Sequence, residues 1–138
     1  MELKQISKWV VVCGTLLIFL VKIGIRPACD CNATFKFILG IAPNLIGSFL
    51  IPFFASLLFS GRDSLLARIF SIHSFGDLRQ VCLLGFGMLV LNEYMQLIPF
   101  FGRTFDYYDL VFSAVGLTAA YFIFGKIYTK VFYSYYPD

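Results

Sequence analysis

Four stretches of the chain are apolar in nearly every position: Trp9 to Ile25, Phe35 to Ser60, Val81 to Phe101, and Tyr107 to about Tyr128. At about 1.5 Å per helical residue, each can cover a hydrocarbon core of roughly 30 Å. A helix of a soluble bundle carries its apolar residues as a stripe and presents charge on the opposite side. Segments such as WVVVCGTLLIFLV and FILGIAPNLIGSFLIPFFASLLF have no such polar face. The pattern predicts an all-α, integral membrane four-helix bundle forming one domain over residues 1–138. The loops are short, so sequential helices should run antiparallel.

Between the second and third runs the pattern changes. Asp63 or Ser64 can cap a short helix, after which Leu65, Leu66, Ile69, Phe70 and His73 fall on one face and Arg62, Arg68 and Ser71 lie away from it. This predicts a short amphipathic helix in the membrane plane, with its basic side toward head groups. His73, the chain's single histidine, reads as an interfacial side chain, because no Ser–His–Asp or metal-binding set accompanies it.

Composition agrees with the pattern. Only 14% of residues are charged, against about a quarter in soluble domains. The net charge of +3 is too small to argue for nucleic acid, and its placement is what matters. Counted over alternate flanks, Lys4, Lys8, Arg62, Arg68, Arg79, Lys126 and Lys130 oppose Lys22, Arg26, Lys36 and Arg103. The excess on the first side predicts that both termini are cytoplasmic in a multi-pass cell-membrane protein. Lys4 and Lys8 ahead of an apolar run also resemble a signal sequence, but the exit Lys22 to Cys29 lacks an A-x-A site, and the first run reads as a retained helix. Cys13 and Cys82 read as small apolar residues inside spans. Cys29 and Cys31 share the outer loop, where a bond between residues two apart is strained, so free thiols or bonding elsewhere are expected. No metal site or cofactor is expected from these two and Asp30.

Polar groups within hydrocarbon are costly, so their positions are informative. Measured from the outer boundary at about 1.5 Å per residue, Asn44 lies roughly 13 Å deep, Glu93 roughly 12 Å, Gln96 roughly 8 Å and Ser113 roughly 9 Å, with Asp109 near the surface. Glu93 and Gln96, three apart, share a helix face. Asp109, Ser113, Gly116 and Ala120 run down one face of the last span, and this small-residue face is expected to pack against the Glu93 and Gln96 face. Arg103 is the natural counter-charge to Glu93, because Pro99 and Gly102 let the chain turn back. Gly40, Pro43, Gly47 and Pro52 predict a kink or break in the second span next to Asn44. The cluster reads either as a buried network that fixes helix register or as a polar pocket open to the outer leaflet.

The order Glu93-Tyr94-Met95-Gln96, Pro99, Gly102-Arg103-Thr104-Phe105-Asp106, Asp109 and Gly116 resembles the VanZ-like family of small bacterial membrane proteins, named for a member linked to low-level teicoplanin resistance. The match covers about a sixth of the chain. It departs from the family pattern by an extra residue between Pro99 and Arg103, by Ser113 where Asn is usual, and by a second span carrying Pro43-Asn44 without the Asp and His of an earlier span in many members. The resemblance carries Glu93, Gln96, Arg103, Asp106 and Asp109 over as family residues and implies a bacterial cell-envelope protein.

These readings together predict a non-catalytic membrane protein. Its polar site, formed by Glu93, Gln96, Arg103, Asp106, Asp109, Asn44 and Ser113, is expected to bind an amphiphile such as a lipid head group, an envelope precursor or a lipophilic glycopeptide. The alternative is an accessory subunit of a larger membrane complex or homo-oligomer, with membrane lipids as the other partners. An enzyme or transporter is disfavoured: no nucleophile, metal set or phosphate loop stands out, and no inverted repeat is visible.

Overall fold

The computed structural model describes residues 3–30, 32–96 and 106–135. All described regular structure is helical. Helix α1 (Leu3–Phe19) continues through a π-helical segment (Leu20–Ile25) into the short α2 (Arg26–Ala28), and is followed by α3 (Ala33–Phe59), α4 (Leu65–Phe70), α5 (Phe75–Met95) and α6 (Tyr107–Tyr135). Three helical stretches, Leu3–Ala28, Ala33–Phe59 and Tyr107–Phe132, are long and apolar enough to cross a membrane. They account for the first, second and fourth apolar runs. Helix α5 is not among them. It carries Asp77, Arg79, Gln80, Asn92 and Glu93, and the apolar Leu97-Ile98-Pro99-Phe100-Phe101 that follows it lies outside the described residues.

Helix α3 is the central element and packs against α1, α5 and α6. Its Phe53 is fully buried and meets the equally buried Phe124 of α6 edge to face at 5.1 Å, with Val11 of α1 and Leu78 of α5 completing the core. Such an aromatic pair contributes about 0.5–1.5 kcal/mol beyond burial of its area. Of the kink or break expected beside Asn44, the break does not occur: α3 runs unbroken through Pro43 and Pro52, both buried. Each proline removes one backbone donor. Contacts on three sides hold the helix in register where backbone bonding alone is weakened.

The helices approach most closely where α6 crosses α3. A Cβ placed on Gly116 would overlap the Ser48 hydroxyl and the Leu45 carbonyl. The small-residue face of α6 therefore packs on α3, not on the Glu93 and Gln96 face of α5 as the sequence suggested. Only a glycine permits this backbone-to-backbone approach, and in lipid such packing replaces the hydrophobic drive between helices.

One end of the bundle holds the first turn of α1, the α3–α5 connection and the last turns of α6. Lys4 Nζ reaches the Ser60 carbonyl at 3.5 Å. Gly61, at φ +78°, turns the chain after α3. Ser64 caps α4 by accepting from Ala67 N–H at 3.1 Å. Within α4, Ala67 is buried and Phe70 stacks on Phe59 at 5.4 Å, while Leu65, Leu66 and Ile69 are exposed. Helix α4 stops at Phe70, so His73 does not share its face; it lies in the connection to α5. The reason is a second cap. Ser74 accepts from Asp77 N–H at 3.2 Å, and Asp77 Oδ2 accepts from His73 N–H at 3.0 Å. These bonds start α5 at Phe75, ahead of the apolar run at Val81. Tyr128 of α6 donates its hydroxyl to the His73 carbonyl and ties the connection to the bundle.

Candidate functional site

At the opposite end, the C-terminal ends of α1 and α5 meet the N-terminal ends of α3 and α6. Asp106 begins α6: its Oδ1 accepts from Tyr108 N–H at 2.9 Å, and its carbonyl accepts from Asp109 N–H at 3.2 Å. The carboxylate thus caps the helix and places Asp109 one turn in. On α5, Gln96 closes the last turn, with its N–H on the Glu93 carbonyl at 3.1 Å. Its side-chain Nε2 also donates to Glu93 Oε1 at 3.1 Å, the i, i+3 contact that the spacing predicted. Glu93 is only 7% exposed, and its Oε2 has no hydrogen-bond partner among the described residues. Asp109 and Asp106 lie near enough to act on it electrostatically.

On the other wall, the π-helical segment of α1 changes where the side chains point. The Arg26 N–H bonds to the Val21 carbonyl, five residues back. The widened turn sits just before Pro27, which has no N–H to continue the ordinary ladder. Such turns occur mostly as single insertions in α-helices and are frequent at functional sites. Here the turn carries Lys22, and Arg26 follows it directly.

These elements enclose a cavity of about 580 Å³ lined by Lys22, Arg26, Lys36, Asn44, Gln96, Asp106 and Asp109, with Phe37, Gly40, Ile41 and Pro43 supplying its apolar wall. Of the residues singled out in the sequence, Asn44, Gln96, Asp106 and Asp109 line one space. Glu93 sits behind it, joined through Gln96. Ser113 is buried but does not line the cavity. Arg103 lies outside the described residues, as does Cys31; Cys29 is disulfide-bonded, not a free thiol, while Cys13 and Cys82 are free.

Comparison with family models, with curated proteins and with solved structures finds no match.

The sequence reading missed Lys22, Arg26 and Lys36 as site residues, having used them only to orient the chain. Their signal was spacing: Lys22 and Arg26 are four apart and so share a helix face, close to a proline that disturbs the helix. Chemically, the cavity offers three cations to a phosphate or carboxylate. It also offers acceptors, on Asp106, Asp109, Asn44 and Gln96, to an amine or hydroxyl. The Phe37 edge meets Tyr108 at 5.2 Å beside this opening. Among the described residues no group of three His, Cys, Asp or Glu side chains could hold a metal ion.

Proposed function

We propose that this chain is a VanZ-like protein of the bacterial cell envelope whose polar cavity receives the head group of an amphiphile from the outer leaflet. In this reading α5 also crosses the membrane, as the third of four spans. Its 21 residues reach about 31 Å, enough for the hydrocarbon core. Both ends of the chain then face the cytoplasm, and α4 lies in the plane of that interface with Leu65, Leu66 and Ile69 toward lipid.

The observation that carries the proposal is the shared lining of one cavity by Lys22, Arg26 and Lys36 together with Asn44, Gln96, Asp106 and Asp109. A network that only fixed helix register would fill its own space and pair its own groups. Here the polar groups border a volume of about 580 Å³, and a buried carboxylate oxygen beside it lacks a partner among the described residues. A ligand amine or hydroxyl can bond to Asp106, Asp109 or Asn44 while the cations hold its anionic part. The ligand class is a lipid head group, an envelope precursor or a lipophilic glycopeptide, bound without chemical conversion.

Native mass spectrometry of the purified protein with added phosphatidylethanolamine tests this. The wild type should carry one more bound phosphatidylethanolamine than the Lys22→Gln/Arg26→Gln/Lys36→Gln variant, which should retain its thermal transition. Equal adducts on both proteins would remove the basis of the proposal. A stable complex with another membrane protein, unaffected by added lipid, would favour an accessory-subunit role.

A further inference from the structure

The surface between α5 and α6 carries a second feature, remote from the polar cavity. A groove of about 410 Å³ is lined by Cys82, Leu83 and Phe86 of α5 and by Ala114, Leu117 and Thr118 of α6, with Arg79, Tyr121 and Phe122 at one end. A second groove of about 410 Å³ begins at the same Tyr121 and Phe122 and runs on past Phe75 and Gly125 to Lys126, Thr129 and Lys130. Tyr121 and Phe122 line both grooves, so the two lie end to end along α6.

Three properties of this groove are informative. Its length from Ala114 to Lys126 is about 18 Å along the helix, close to the depth of one leaflet, which is half of roughly 30 Å. Its threonine hydroxyls are already used: Thr118 donates to the Ala114 carbonyl at 2.8 Å and Thr129 to the Gly125 carbonyl at 2.9 Å. The deep part therefore presents an apolar surface. Its charge is all of one sign: Arg79 lines the first groove, and Lys126 and Lys130 line the second, toward the end of the bundle opposite the polar cavity. Gly125 keeps the floor of that end open, because a Cβ there would stand 3.1 Å from the Phe75 ring.

We infer that this groove is a binding site for an anionic diacyl phospholipid of the leaflet opposite the polar cavity, with an acyl chain along α5 and α6 and the phosphate held by Arg79, Lys126 and Lys130. An apolar channel one leaflet deep that ends in three cations matches such a lipid in both length and charge. A zwitterionic lipid fills the channel equally well, but its own amine offsets the attraction at the basic end. This inference does not depend on the ligand of the polar cavity.

The test is native mass spectrometry of the full chain with dioleoyl phosphatidylglycerol and dioleoyl phosphatidylcholine at equal concentration. The wild type should retain phosphatidylglycerol at least fivefold over phosphatidylcholine. In the Lys22→Gln/Arg26→Gln/Lys36→Gln background, which removes the cavity's own cations, Arg79→Gln/Lys126→Gln/Lys130→Gln should abolish that preference, and Thr118→Leu, which fills the channel and leaves every groove charge in place, should lower the adduct at least fivefold. Lys22→Gln/Arg26→Gln/Lys36→Gln should leave the preference intact. Equal retention of the two lipids by the wild type would overturn the inference. So would unchanged binding by the groove variants, or loss of the preference in the cavity variant alone.

Discussion

Replacing Gly116 by alanine adds one methyl group where the α6 backbone lies against α3. In an open stretch of helix the change is favourable by about 1 kcal/mol. Here the new Cβ overlaps the Ser48 hydroxyl and the Leu45 carbonyl, which are the two members of one 3.0 Å hydrogen bond. Serine can rotate away at the cost of that bond, about 0.5–1.5 kcal/mol. The Leu45 carbonyl is backbone and cannot move unless α3 and α6 separate. Overpacking of this kind costs about 1–3 kcal/mol, and separation loosens an interface that includes the buried Ser113, Leu117 and Ala120. The net expectation is a loss of about 2 kcal/mol, readable as an earlier midpoint when the protein in mild detergent is titrated with sodium dodecyl sulfate and followed by circular dichroism. Gly40→Ala is the control, because a Cβ there meets nothing within 4 Å; it should be neutral or slightly stabilising. Adding Ser48→Ala to Gly116→Ala should recover only part of the loss, since the Leu45 carbonyl remains. A Gly116→Ala protein as stable as the wild type, or a Gly40→Ala protein equally weakened, would refute the packing argument.

Further outcomes follow from the capped connection and from the acidic residue behind the cavity. Tyr128→Phe removes the hydrogen bond to the His73 carbonyl and should lower stability by about 0.5–1.5 kcal/mol in the same titration, with the helix content of the folded state unchanged. Ser74→Ala removes the cap of α5 and should cost about 1 kcal/mol. Asp77→Asn weakens the acceptor of the His73 N–H bond and should lower stability by about 0.5–1.5 kcal/mol in the same titration; an unchanged midpoint would show that this bond does not anchor the connection. Glu93→Gln and Arg103→Gln should show non-additive losses of thermal stability if the two side chains pair; simple addition would show that they do not.

The apolar runs made the three long helices legible, because a side chain that must face lipid leaves little choice of residue. Helix ends were legible where a capping residue stood beside a run, as at Ser64 and Asp106. The start of α5 was missed because Phe75 to Gln80 is too polar to extend a hydrophobic window, although Ser74 and Asp77 at a spacing of three already form a capping pattern. The unbroken course of α3 through two prolines was not legible, since it depends on three neighbours holding the helix. The face of small residues on α6 was plain in the sequence, but the choice of α3 over α5 as its partner was not. Periodicity says which side of a helix is small, and only the assembled bundle says what it meets. The candidate site divides in the same way. Depth counting put Asn44, Glu93, Gln96 and Ser113 in one layer with Asp109 just above; of these, Asn44, Gln96 and Asp109 line the cavity, and Glu93 and Ser113 do not, because height along a helix does not say which way a side chain faces. It could not place Lys22, Arg26 and Lys36, whose approach depends on a π-helical turn and on how α1 leans toward α3.

The proposed seat for the head group of an outer-leaflet amphiphile is the cavity beneath Lys22, Arg26 and Lys36. Photo-crosslinking in nanodiscs with a phosphatidylethanolamine that carries its photoreactive group in the head, followed by peptide mapping, reads its occupancy. Label should concentrate on the segments 22–44 and 106–109, and Lys22→Gln/Arg26→Gln/Lys36→Gln should remove it from both. Label spread evenly around the bundle, or confined to the end that carries Lys126 and Lys130, would contradict it.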